Sequence, residues 1–295
     1  MSHNHSHSHT HTHAHNHSQS SYSNIAIAFT LNFVFSIIEI VGGILTNSTA
    51  ILSDAVHDLG DSLALAMSYV TEKLSKNEAT ETYNYGYKRF SLIGAIINIL
   101  VLSVGTAYVL REAIISFQHP EPVDANGMLW LAILGITVNG LAAFRMKGSK
   151  KVLDRTVVLH LLEDLMGWVA VLVVSVVIRY TSWYILDPIL SMVIALIVIR
   201  NIWSNIIQVY RIIMQSVPDA ELFNSIKMNL AGINGVIAVE DIKLWTLDGD
   251  DHVMTATIRS NDVGNNSSIL HSAKDLADQN NIHFSTIEII NSSRE

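Results

Sequence analysis

Two short stretches carry side chains able to hold a metal ion. In Ser53-Asp54-Ala55-Val56-His57-Asp58-Leu59-Gly60-Asp61 a histidine and an aspartate stand four residues apart, and the spacing returns in His160-Leu161-Leu162-Glu163-Asp164. On a helix this interval stacks the two side chains on one face, about 5–6 Å apart at Cβ. Two such pairs facing each other supply two imidazole nitrogens and two carboxylate oxygens, a four-coordinate donor set that suits Zn²⁺. Both stretches are embedded in apolar sequence, where an ionisable side chain costs roughly 2.5–3.5 kcal/mol at bilayer depth, so a function is expected to keep it there. A single buried polar residue is explained by hydrogen bonding between helices; the same pair in two separate helices argues for a metal site at His57, Asp61, His160 and Asp164. Asp54, on the same stripe as His57, is read as its orienting partner, with direct ligation and an ion relay as alternatives. Asp58 and Glu163 fall one position off the ligand stripe and are expected to line a water path or face a loop.

The elements that must position these residues are apolar helices. The chain of 295 residues is 49% hydrophobic and 15% charged, with a mean hydropathy of +0.34, too apolar for an ordinary soluble domain. Helices long enough for about 30 Å of hydrocarbon are expected at 25–46, 49–71, 90–112, 127–146, 157–179 and 183–204. Lys73, Lys76, Lys88 and Arg89 lie between the second and third, and Arg145, Lys147, Lys150, Lys151 and Arg155 between the fourth and fifth. Lys and Arg gather on the cytoplasmic side of membrane proteins, so both termini are expected in the cytoplasm. No signal peptide is recognisable at the start. The absence of cysteine leaves His, Asp and Glu as the metal donors, and a net charge of −8 argues against nucleic acid as a partner.

Residues 1–24 alternate His with small polar residues from His3 to His17, as expected of a disordered, metal-gathering tail. Beyond 205 the pattern shortens to a helix at 219–231, strands at 236–247 and 252–260 joined through Asp248-Gly249, a helix at 266–280 and a strand at 282–290. These make a small α+β module at 205–295, which is expected to lean on a partner copy. Within it Glu240, His252, His271, His283 and Glu288 are candidates for a further metal site. Elsewhere Asn32, Glu39, Asn98 and Asn139 are expected to hydrogen-bond between helices, Asp187-Pro188 to cap the sixth helix, and Tyr83, Tyr85 and Tyr87 to anchor at the membrane interface.

Taken together, Ser53-Asp54-Ala55-x-His57-x-x-x-Asp61, Tyr85-Gly86-Tyr87-Lys88-Arg89-Phe90, His160-x-x-x-Asp164, Asp187-Pro188 and Asp241-Ile242-x-x-Trp245 resemble the cation diffusion facilitator family, in particular its zinc-type members, over residues 22 to 290. The resemblance implies a homodimer in a bacterial inner membrane, each protomer a six-helix bundle followed by a ferredoxin-like cytoplasmic domain, exporting a divalent metal in exchange for protons. The family's transport ligands fall on His57, Asp61, His160 and Asp164. Three departures stand out. Glu240 and Lys243 occupy positions where the family usually has His, the loop between the second and third helices has no His, and Glu163 stands where Gly is usual.

Two other function classes fit less well. An intramembrane hydrolase needs an open metal position, which four protein ligands do not leave, and a metal sensor has no need of six helices with ionisable groups at depth. Zn²⁺, Cd²⁺ and Co²⁺ all suit mixed nitrogen and oxygen donors. Two carboxylates and a dication sum to zero charge, whereas the empty site bears minus two, which is unfavourable in a low-dielectric bundle. Protons neutralise it, so zinc/proton exchange is the expected chemistry.

Overall fold

The computed structural model describes residues 17–75, 79–146, 152–261 and 263–291. Six long helices come first: α1 (His17–Thr46), α2 (Thr49–Ser75), α3 (Phe90–Gln118), α4 (Ala125–Met146), α5 (Val152–Thr181) and α6 (Leu186–Ile213). α1 begins inside the stretch expected as tail, while residues 1–16 and most of the His run lie outside the described residues. α6 continues well past 204. The sequence Asn205-Ile206-Ile207-Gln208-Val209-Tyr210 keeps a helical period, and the stop comes only at Gln215, which takes a left-handed φ of 54° shortly before Pro218.

α2 is the hub of the bundle. It packs along α1, α3 and α6 and touches α5, while α4 pairs with α5. Its approach to α3 is close at Gly60, where a Cβ would stand 2.2 Å from the Leu102 side chain. The burial is that of a lipid-facing bundle: Glu39, Asp54 and Asp58 are inside, while Leu100, Val104, Phe144 and Leu196 are exposed. Among the described residues three helical spans are long and apolar enough to cross a membrane: Phe90–Gln118, Leu161–Thr181 and Leu186–Ile213. α2 is not one of them, because its acidic residues lower its hydropathy. The residues that would do the chemistry weaken the signature of the helix that carries them.

After the bundle come α7 (Ala220–Ala231), β1 (Val236–Thr246), β2 (His252–Ser260), α8 (Asn266–Gln279) and β3 (Phe284–Asn291). Strand order is β1-β2-β3, with β1 antiparallel and β3 parallel to β2. Ile226 and Leu230 of α7 and Ala273 and Ala277 of α8 close over Met254, Ala256 and Ile258 of β2. Period-two alternation therefore puts both helices on one face of the sheet. The turn between β1 and β2 is built as the sequence indicates: Asp248 Oδ1 accepts from the Asp251 amide at 2.8 Å, and Gly249 takes φ 115°.

The loop before α3 also meets the C-terminal module. Tyr85 stacks edge to face on Phe284 of β3 with ring centroids 5.1 Å apart, and Lys88 pairs with Asp251 while lying 5.4 Å from the centroid of the Phe284 ring. Tyr85 and Lys88 thus join the bundle to the C-terminal module. Between the two lies a cavity of about 610 Å³ lined by Met67, Asn98, Asn205, Gln208 and Asp251, among others.

Candidate metal site

The helical period brings His57 and Asp61 together as the sequence requires: Nε2 of His57 lies 3.7 Å from Oδ2 of Asp61, with side chains 17% and 27% exposed. Asp164 is buried at 7% exposure on α5, the helix that meets α2. Asp54, 6% exposed, turns toward the same helix; a Cβ built on Gly167 would come within 3.5 Å of its Oδ1. Gly167 stands about one turn beyond Asp164. Asp54 is thereby within Coulombic reach of His57, Asp61 and Asp164. His160 sits on α5 one turn before Asp164, in a stretch whose side chains lie outside the described residues.

Asp58 does not face a loop. It is 3% exposed and faces Glu39 of α1, itself fully buried. The two carboxyl groups meet across the α1–α2 contact, within reach of the interhelical hydrogen bond expected of Glu39. Asn32 does make one, donating to the Asp58 carbonyl at 3.1 Å, whereas Oδ1 of Asn98 and Nδ2 of Asn139 do not. The Glu39–Asp58 pairing escaped sequence reasoning because nothing in α1 indicates which of its faces meets α2. Glu39, Asp54, Asp58, Asp61 and Asp164 together make an acidic interior, and carboxylates gathered in a low-dielectric bundle call for positive charge. Among the described residues no three His, Asp or Glu side chains are gathered closely enough to hold an ion as they stand.

The five candidates of the C-terminal module are spread apart. Glu240 accepts from Arg259 Nε at 2.8 Å, Glu288 accepts from the Thr257 hydroxyl at 3.3 Å, and His271 is exposed on α8, 3.5 Å from Asp275. Pairing of Val253 with Phe284 leaves His252 and His283 at one end of the sheet, with the other three elsewhere. Asp187 also differs from expectation. It lies inside α6, whose N-cap residue Ile185 makes no side-chain hydrogen bond, and its carboxylate reaches across to α2.

Comparison with known proteins gives the same direction. Residues 25–214 match the cation efflux transmembrane domain. The chain is 32% identical over 225 residues to the cadmium, cobalt and zinc/H(+)-K(+) antiporter of Bacillus subtilis, covering 75% of this chain and 72% of that one. It is 30% identical over 238 residues to the metal cation efflux system protein CzcD of Cupriavidus metallidurans, covering 80% and 75%. With the zinc transporter ZitB of Escherichia coli it shares 30% identity over 236 residues, covering 79% and 75%.

Proposed function

The chain belongs to the cation diffusion facilitator family, membrane transporters of metal cations and not enzymes, and from that premise we propose that it exports Zn²⁺, with Cd²⁺ and Co²⁺ as further substrates, in exchange for protons. In this reading all six long helices cross the inner membrane of a bacterium with both termini in the cytoplasm. The C-terminal module is a ferredoxin-like cytoplasmic domain, and two chains form a homodimer. His57 and Asp61 of α2 and His160 and Asp164 of α5 hold the ion, Asp54 orients His57, and the His-rich tail gathers metal.

The observation that carries this reading is the convergence of α2 and α5 on their acidic faces, with Asp54 set against Gly167 beside Asp164. Zinc needs neutral imidazole and ionised carboxylates, so binding it expels any protons the empty site has taken up. The same residues thus bind either zinc or protons, and alternating access of one helix group against another carries each across.

Zinc flux in proteoliposomes, with the membrane potential clamped, tests the exchange. An imposed pH gradient is expected to drive zinc against its own gradient toward the acidic side, because acid there protonates the site and releases the ion. Zinc movement should in turn shift the internal pH. If zinc moves only down its own gradient and the internal pH stays constant, the protein is a uniporter.

A further inference from the structure

α2 receives much of its N-terminal cap from another helix. The start of a helix leaves amides without intrahelical partners, and Ser48 Oγ takes one of them, accepting from the Ile51 amide at 3.2 Å. The two preceding amides belong to Asp187 of α6. Its Oδ2 accepts from the Thr49 amide at 2.7 Å and the Thr49 hydroxyl at 2.9 Å. Its Oδ1 accepts from the Ser48 hydroxyl at 2.5 Å and the Ala50 amide at 3.4 Å. Asp187 is 1% exposed, a buried acid with four donors at the positive end of a helix.

The contact continues along both helices. One turn on, the Ser191 hydroxyl donates to the Thr49 carbonyl at 3.0 Å, and the Ser53 hydroxyl donates to the Ser191 carbonyl at 3.3 Å. A turn beyond, Val56 packs with Val198 of α6 and Leu102 of α3. Thr49, Ser53 and Val56 form one stripe of α2, and His57 and Asp61 lie about a quarter-turn round the helix from it at 3.6 residues per turn. The polar rungs to α6 therefore set where the metal-binding stripe points. A helix is about 10–12 Å across with its side chains, so a ~20° rotation moves an atom at its surface by ~2 Å. Metal–ligand distances hold to within about 0.2 Å, an order of magnitude less.

We propose that Asp187 is a positioning residue for metal transport: held on α6, it fixes the rotation of α2 and so the aim of His57 and Asp61 toward α5. The proposal rests on the reading that these residues belong to the transport site. Capping alone requires only an acid at position 48. An acid supplied from α6 adds a register between the two helices, and that register is the part the metal site needs.

The test uses the full chain in proteoliposomes, with Zn²⁺ flux and the visible absorption of bound Co²⁺ as readouts, the latter sensitive to tetrahedral geometry. Asp187→Asn puts an amide donor against the Thr49 donors. Zinc flux at limiting zinc is expected to fall about 10–100-fold, the range seen when a partner that orients a metal ligand is lost, and the Co²⁺ absorption to weaken. Adding Ser48→Asp restores an acidic cap within α2 itself. This double variant is expected to regain thermal stability but neither flux nor the Co²⁺ spectrum. Wild-type flux and spectrum in Asp187→Asn would overturn the proposal, as would recovery of both in the double variant, since capping would then suffice. Should Asp187→Asn not fold, Ser191→Ala loosens the second rung without stranding a charge; an altered Co²⁺ spectrum supports the proposal and an unaltered one overturns it. His57→Ala in the wild-type background keeps the two readings apart: Co²⁺ absorption that survives it counts against the transport site itself, whatever Asp187→Asn does.

Discussion

Zinc flux through an Asp164→Ala protein is expected to fall to the level of protein-free vesicles while the protein still inserts and elutes like the wild type. In the proposed site, removing this carboxylate would leave three ligands and one fewer negative charge for a dication, a heavier loss than the roughly 10–100-fold in affinity that follows from losing a partner outside the coordination sphere. The fold has little reason to suffer. Asp164 lies within Coulombic reach of the acidic Glu39, Asp54 and Asp58, so its removal takes one acid out of a crowded acidic interior. Zinc at about a hundred times its dissociation constant stabilises a binding protein by about 2.7 kcal/mol. The wild type should show this as a rise in melting temperature, and Asp164→Ala should show none. Wild-type flux in a well-folded Asp164→Ala protein would remove Asp164 from the site.

His57→Asp is expected to change which ion moves. The substitution exchanges a borderline imidazole for a hard carboxylate beside Asp61. Preference should drift from Zn²⁺ toward harder cations such as Mn²⁺, for which oxygen donors are the natural partners. Competition between the two ions during uptake reads this directly. Unchanged zinc selectivity with no gain for Mn²⁺ would mean that His57 does not bind the ion.

The pair on α2 was legible because both of its members lie on one helix, where spacing alone fixes proximity. The order of helices and strands in the C-terminal module followed from hydrophobic period and turn residues in the same local way. What escaped depends on how separate elements meet. Asp187-Pro188 carries the local signature of a helix start, yet the aspartate caps α2, and no short-range pattern tells on which helix an acid finds its amides. Asp58 reads as one position off the ligand stripe, and only the packing of α1 against α2 turns it to Glu39. The tyrosines before α3 have the composition of an interfacial anchor; the partner that claims Tyr85 is Phe284, nearly two hundred residues along the chain.

The most direct measurement is an anomalous-difference map at the zinc edge, from crystals of the protein loaded with Zn²⁺. The expected result is a peak between α2 and α5, with His57, Asp61, His160 and Asp164 at about 2.0–2.2 Å, the distances of zinc to nitrogen and oxygen donors. A protein that transports zinc in vesicles, yet shows no peak between these helices and binds the ion only in the C-terminal module, would contradict it.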